Sequence, residues 1–495
     1  MLTYNLKENS DVPKYIYLFQ RIRQDILDGK IRKGEKLPSK RALASHLNVG
    51  VITVANAYAQ LITEGYITAE EKRGYFVQDI SSYGTGRTVL PAGRKTGQQP
   101  AADDSAADAG EKKETEFFAD FKANRTGLKH FPASRWNYYM REALSLHDDT
   151  LLKTVPYKGI YRLRRAISEY LRRERGIDVL PSQIIIGAGT EYLYSRLIQL
   201  FGRACTFASE DPGYKKFAAI SRSYGNPWIH VPIDERGLRV DLLEEYGADV
   251  VHVSPANHFP TGIVMPVARR GELFEWVNRV KKRYIIEDDY DSEFRYSGQL
   301  ILPMYAEDTH NKVIYFNTFS KTLVPSLRIS YMVLPPELVR RYEQTMSFYS
   351  CTVSSFEQYA LSRFIENGDL ERHINRMRNY YRRQRTIILD EIRRSPLADV
   401  SVIHENNAGT HFLLEVRTDR TEDQIRAEGR KKDLLLSMYS DYSYRTENPS
   451  AEHQGRDPFR IYTHPGSVTL VINYAGVETE KFPEVVERLC RILME

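Results

Sequence analysis

Between residues 80 and 115 the chain reads ISSYGTGRTVLPAGRKTGQQPAADDSAADAGEKKET, a run of Gly, Ala, Ser, Asp and Pro with few large apolar side chains. Such a segment cannot bury enough surface to offset its chain entropy, so a flexible linker is expected there. The rest of the chain must then fold as two separate bodies, residues 1–79 and residues 116–495. A total of 495 residues leaves room for two or three domains.

Several classes are set aside by composition. Hydrophobic residues are 42% and charged residues 27% of the chain, the balance of a soluble globular protein. A net charge of +5 is too small for a protein that coats nucleic acid, so any such contact is expected in one region only. Residues 1–79 hold 12 Lys and Arg against 9 Asp and Glu, a surplus compatible with DNA. Cys205, Cys351 and Cys490 are far apart and form no CxxC pair. That argues against a disulfide framework or a zinc site and for a reducing cytoplasm. The start, MLTYNLKENSDVPKY, has no apolar stretch behind a basic one, so no signal peptide is expected. No apolar run reaches the length of a membrane span.

In residues 1–79, Tyr15, Phe19, Ile22 and Ile26 fall on one helical face that Gly29 ends. GEKLPSKRALASHLNV follows, with Ser39 as a helix cap and Ala42, Leu43 and Leu47 expected inward. After the turn at Asn48–Gly50 comes VITVANAYAQLITEGYI, with Val54, Tyr58, Leu61 and Ile62 toward the core and Gly65 as a stop. ITAEEKRGYFVQ reads as two short strands with Lys72, Arg73 and Gly74 at their tip. Helix, turn, helix and basic hairpin make a winged helix-turn-helix. A small helical packing module is the plainer alternative.

From Phe117 onward strand-like runs alternate with helical patterns. QIIIGAG, CTFAS, ADVVHVSP, RYIIEDD, KVIYFNTFS and RISYMVL read as buried strands. The alternation predicts an α/β domain with a largely parallel sheet. From about residue 345 a long helical pattern gives way to HFLLEV and TLVINYA, as a smaller α+β domain would.

Five elements of this region carry chemistry. In NTFSKTLVPSLRISY, Lys321 follows a strand and lies among Thr318, Ser320 and Arg328. A lysine that forms a Schiff base must be positioned, partly desolvated and near an anion site. Taken alone, a lysine after a strand is more often a solvated surface residue. RYIIEDDYDSEF ends a strand 33 residues earlier. A buried carboxylate there needs a partner. A protonated ring nitrogen against Asp288, with Tyr290 beside it, is one reading; a magnesium site at Glu287, Asp288, Asp289 and Asp291 is the other. GAGTEYLYSRL opens a helix with Gly189 and Thr190, a place that favours phosphate. SPANHFPTG is a Pro-Gly turn after a strand, and DPGYKKF offers Tyr214 to stack on a flat ring.

Two resemblances follow from these motifs. GEKLPSKRALASHLNV…TVANAYAQLITEGYI resembles the GntR family of winged-helix repressors. That resemblance implies DNA contacts at Ser39, Arg41, Thr53 and Asn56, and at Arg73 and Gly74 of the wing. Gly50-Val51 stands where the family has Ser-Arg, so an arginine that would touch DNA is missing. The order and spacing of the later motifs resemble fold-type I pyridoxal-phosphate aminotransferases, and SK-x(6)-R, EDDYDSEF and HFPTG look like the MocR subfamily of GntR regulators.

The resemblance implies pyridoxal 5'-phosphate in Schiff-base linkage to Lys321. It implies Asp288 on the pyridine nitrogen, Tyr290 on the ring oxygen and Tyr214 stacked on the ring. Gly189, Thr190, Thr318, Ser320 and Arg328 would hold the phosphate, with no metal. Glu191 stands where aminotransferases often have Gln. Phe259 takes the place of their ring-contacting Asn, with Asn257 and His258 just upstream. Val471 takes the place of the Arg that clamps the substrate carboxylate. Lys216, Arg456 or Arg460 remain as other carboxylate partners. The implied protein is a DNA-binding regulator, a head-to-tail homodimer that responds to an amine or amino acid or to the cofactor itself. A working aminotransferase with an accessory DNA domain, and a regulator whose large domain is only a scaffold, are the alternatives.

Overall fold

The computed structural model describes residues 4, 13–70, 73–78, 117–122, 130–145, 149–296, 301–444, 462 and 464–494. The expected linker lies outside these residues, as do Lys72, Arg456 and Arg460. The chain separates into two compact units, Met1–Lys112 and Lys113–Glu495.

The first unit has three helices, Lys14–Leu27, Lys40–Leu47 and Val51–Thr63, and strands β1 (Lys36–Leu37), β2 (Ile67–Glu70) and β3 (Gly74–Val77). The strands form an antiparallel sheet in the order β1-β3-β2. Its core is built from Leu18, Ile22, Ile26, Leu37, Leu43, Val54, Tyr58 and Leu61. The buried face of each of the three helices differs in part from expectation. In the first helix Tyr17 and Leu18 are buried, while Tyr15 is exposed and Phe19 half-buried. In the second, Ala44 points inward and Ala42 is exposed. Ile62 is exposed too, and Ala57 takes its place in the core. Each helix touches the others along a narrow stripe, and the crossing angle chooses which flanking position is covered.

The second unit is built on an eight-stranded sheet. It follows a short β4 (Ala119–Asp120), and its strands are β5 (Ile184–Gly187), β6 (Phe207–Asp211), β7 (Trp228–Asp234), β8 (Gly237–Leu238), β9 (Val250–Val253), β10 (Tyr284–Asp288), β11 (Val313–Thr318) and β12 (Ser330–Val333). Their order is β5-β12-β11-β10-β9-β6-β7-β8. β6, β7, β9, β10 and β11 run parallel, and β12 runs against both β11 and β5. The parallel strands at the centre are buried on both faces, which is why they read as unbroken apolar runs in the sequence. All six runs named above are strands.

The remaining strands are β13 (Ser401–His404), β14 (His411–Arg417), β15 (Leu434–Leu435) and β16 (Ser467–Asn473). β13-β14-β16 form a smaller antiparallel sheet, and β15 pairs with β4. The smaller domain expected from about residue 345 is drawn differently. The helices Pro336–Met346 and Ser355–Glu366 pack into the cores of the large sheet, not the small one. The helix Asp369–Arg394 serves both: Leu370 and Ile374 join the large core, and Met377 through Ile392 join the small one. Ala119 and Phe121, some 250 residues upstream in the chain, complete the small core. A helix buried on several faces, as Ser355–Glu366 is, must lie between layers, and periodicity does not say which layers.

Among the described residues no helix is long and apolar enough to cross a membrane. All three cysteines are free.

Candidate functional site

Lys321 sits on a single helical turn, Phe319–Thr322, that starts where the buried strand β11 ends. The Thr318 hydroxyl caps this turn by accepting from the Ser320 N–H at 3.1 Å. The Ser330 hydroxyl donates to Thr318 at 2.8 Å and lies 3.3 Å from the Thr190 hydroxyl. A chain of hydroxyls thus ties the lysine's turn to the start of the helix Thr190–Phe201. Thr318 is consumed in that scaffold, whereas the Ser320 hydroxyl is buried and has no partner. Burial pushes the Lys321 amine down to about 8, against the opposing pull of Asp291 and Asp288.

Gly189 precedes the helix Thr190–Phe201 at φ +92°, and a Cβ built there would lie 2.5 Å from the Arg328 guanidinium. Only glycine fits both the backbone angle and that approach. Arg328, itself at φ 51°, keeps Nη2 3.4 Å from Glu191. Lys216 reaches the other Glu191 oxygen at 2.8 Å. These cations hold the Glu191 carboxyl below its usual range, Lys216 above all. The helix start, Ser320 and Arg328 together make a cradle with free donors, of the kind that suits a phosphate.

The four carboxylates of the acidic run at the end of β10 each turn to different partners. Glu287 accepts from the Met304 and Tyr305 N–H groups, both at 2.9 Å. Asp288 lies 3.6 Å from His252 Nε2. Asp289 takes Arg175 at 2.5 Å and the Tyr315 hydroxyl at 2.6 Å. Asp291 accepts from the Asn257 amide at 2.9 Å. The carboxylates turn away from one another, and among the described residues no cluster of three or more His, Cys, Asp or Glu is placed to hold a metal. Tyr290 donates to the Asn257 carbonyl at 3.1 Å, and the Lys321 amine stands 5.4 Å from the centre of its ring. Tyr214 opens the helix Lys215–Ser223, is 43% exposed and meets Phe217 edge-on.

Several site residues carried no part in the cofactor reading of the sequence. Asp291 shares the buried space of Lys321, and burial pushes its carboxyl up to about 7 while Lys321 and Asn257 pull it down. Asn406, from the loop between β13 and β14, donates to Asn257 at 3.1 Å. Gly409 leaves no room for a side chain, since a Cβ would lie 2.5 Å from the Asn257 amide. His411 contacts the Pro260 carbonyl at 3.1 Å, and burial and Lys321 push its pKa down to about 4. His258 Nε2 lies 3.5 Å from Glu210. Burial pushes the imidazole down to about 3 and the carboxyl up to about 8, so both are neutral near pH 7. Asn257 and His258 stood out in the sequence only as neighbours of the Pro-Gly turn. Asn406 and His411 gave no signal, because nothing local marks a loop that folds back over a site.

Val471 lies on β16, buried with Leu413 and Tyr439 in an apolar cluster that Phe259, Tyr442 and Tyr462 adjoin.

In the first unit, Ser39 caps the helix Lys40–Leu47 by accepting from the Ala42 N–H at 3.2 Å. Arg41, Asn56 and Arg73 are exposed, and Thr53 and Gly74 are half-buried. Arg73 pairs with Glu70 and lies over Phe76. Gly74, at φ +119°, lets the wing pass close to the Lys36 side chain.

Residues 14–77 match the family of bacterial regulatory proteins of the gntR type, and residues 126–489 match aminotransferases of class I and II. The HTH-type transcriptional regulator YdeL of Bacillus subtilis is 34% identical over 488 residues, 99% of this chain and 98% of its own. The probable rhizopine catabolism regulatory protein MocR of Rhizobium meliloti is 29% identical, covering 85% of each chain. Among solved structures, the kynurenine aminotransferase of Pyrococcus horikoshii, in complex with PMP, superposes with a TM-score of 0.64 at 22% identity. That match spans 79% of this chain and 94% of the other.

Proposed function

The chain belongs to the MocR subfamily of GntR-type transcription regulators, and from that premise we propose that its larger unit holds pyridoxal 5'-phosphate at Lys321 and reports a small amine or amino acid, or the cofactor itself, to the DNA-binding unit. The observation that carries this reading is the cradle around Lys321: the unpartnered Ser320 hydroxyl, and the Gly189 turn that only a glycine can make beside Arg328.

The residues present fit that cofactor. The Gly189-Thr190 turn, Ser320 and Arg328 would hold its phosphate, with Thr318 fixing the turn that carries Lys321. Asp288 would stand at the ring nitrogen, Tyr290 at the ring oxygen and Tyr214 over the ring face. When bound, the cofactor supplies an aldehyde and an electron-withdrawing ring. Lys321 is prepared for that aldehyde, because an amine lowered to about 8 is uncharged in roughly a tenth of molecules at pH 7. Asp291, hydrogen-bonded to Asn257, lies in the same buried space and favours the charged form of that amine.

A ligand acts on DNA binding only through different affinity for two arrangements of the protein. The arrangement we propose is the subfamily's head-to-tail homodimer on a double-stranded operator in the cytoplasm. A working aminotransferase is the second reading, and Val471 counts against it: an apolar side chain stands where those enzymes carry the arginine that pairs with the substrate carboxylate. Lys216 is already engaged by Glu191. At most a partial half-reaction is expected.

The test is visible absorbance of the purified protein before and after borohydride, beside Lys321→Ala. A band that borohydride bleaches and the variant lacks supports the reading. Amines are then screened by the shift of that band and by their effect on DNA binding. No band after added cofactor would sink the cofactor assignment and leave the large unit a scaffold. Sustained turnover with a keto acid would favour the enzyme.

A further inference from the structure

The helix Val51–Thr63 reads VITVANAYAQLIT and has no charged side chain along its length. Its buried residues are Val54, Ala57, Tyr58 and Leu61. Helical spacing then puts Ile52, Asn56, Ala59 and Thr63 on the opposite face. Ile52 is 76% exposed and Val51 45% exposed, and Asn56 is exposed one turn beyond Ile52. The other amide on this helix, Gln60, is held by Glu64 at 2.6 Å.

Exposed cations stand on other elements of the same unit. Lys36 on β1, Arg41 on the preceding helix and Arg73 on the wing are exposed. An uncharged helix face on a unit with exposed cations elsewhere suits a duplex, the cations meeting phosphates and the helix meeting base edges. The base edges are chemically distinct. Guanine is read bidentately by Arg or Lys, adenine by Asn or Gln, and thymine by apolar contact with its C5 methyl. The outward face offers an Asn and an Ile and no Arg.

We propose that this helix reads A·T pairs, with Ile52 packing on a thymine methyl and Asn56 taking an adjacent adenine edge in each half-site, while Arg41 and Arg73 hold phosphates. The proposal rests on the assignment of Val51–Thr63 as the helix that enters the major groove.

The test starts from sites selected by the full-length protein from randomised duplex DNA. Uracil then replaces thymine one position at a time, which removes the methyl and keeps the hydrogen-bonding edge. We expect one thymine per half-site whose replacement weakens binding about fourfold, the worth of one buried methyl group. Ile52→Ala should lose a similar factor on thymine DNA and become indifferent to the replacement. Ile52→Arg should move the selected base at that position to guanine, and Asn56→Ala should relax the neighbouring adenine. Because Ile52 is exposed, the variants should melt like the parent, which circular dichroism checks.

Guanine selected under the helix by the parent chain, or uracil that is harmless at every position, overturns the proposal. So does a uracil effect that persists in Ile52→Ala. If Arg41→Ala weakens binding while uracil is silent, only the base reading fails. If Arg41→Ala, Ile52→Arg and Asn56→Ala all bind as the parent does, the docking assignment falls with it.

Discussion

The side chains assigned to DNA lie on the surface of the first unit, whereas those assigned to the cofactor, the exposed Tyr214 and Arg328 apart, are partly or wholly buried in the second. Arg41, Asn56 and Arg73 project from helices and a wing that are stable without them. Lys321, Asp288 and Asp291 lie amid buried polar groups that hold one another in place. In the first unit, function can therefore change with little cost to the fold. In the second, each polar group taken from water must be matched by another, so function and stability share residues. The lesson is visible at Asp289, which touches no part of the cradle yet holds Arg175 where both side chains are only 1% exposed.

Experiments can break or sharpen this contrast. The largest effect is expected from Lys321→Ala, which should abolish the borohydride-sensitive band entirely and leave the affinity for non-specific DNA unchanged. Loss of both would mean the units are not independent. Asp289→Ala leaves Arg175 as an uncompensated buried charge and should lower stability by about 3–5 kcal/mol, read from urea denaturation of the larger transition. A loss near zero would place that ion pair among the dispensable ones. Gly189→Ala adds about 1–3 kcal/mol of backbone strain and displaces Arg328, so the cofactor Kd should rise about tenfold or more with the secondary structure unchanged.

A pH profile tests the second unit without mutation. The charged form of Lys321 is disfavoured by burial, so the reactive uncharged amine grows as pH rises. The rate of cofactor capture should climb through neutral pH and level off above about 8. A profile still climbing near the usual lysine range would mean the amine is solvated. The smallest effect belongs to the first unit. Ser39→Ala removes a helix cap and should cost about 1 kcal/mol in the smaller melting transition alone.

The legibility of the sequence follows the same divide. The winged helix was readable because its signals are local: Ser39 before a helix, Gly65 after one, Gly74 in a hairpin. Its errors were local as well, since Tyr17, Ala44 and Ala57 are covered in place of Tyr15, Ala42 and Ile62. In the large unit the six apolar runs were readable as strands because both sheet faces are covered. The antiparallel course of β12 and the place of β7 in the sheet were not, since neighbours in a sheet are chosen by long-range packing.

The proposed cofactor cradle divides similarly. Lys321, Asp288, Gly189 and Arg328 stand in motifs whose residue types announce an anion and a ring. Asn406, Gly409 and His411 do not, because their part depends on a loop more than 110 residues distant from Asp291 folding back upon it.

The sequence by itself determined the two-part division, the identity of the buried strands and the residue types that can recognise a phosphate, a ring or a base edge. Those properties depend on composition and on spacings within a few turns of helix or strand. Only the tertiary structure decided which acidic residue of the run faces which partner, that Thr318 is spent on scaffolding while Ser320 is left open, and that the helix Ser355–Glu366 belongs to the large core. Each of these is a competition between alternative partners for a buried polar or apolar group, and it is settled by which distant segments the fold brings within reach.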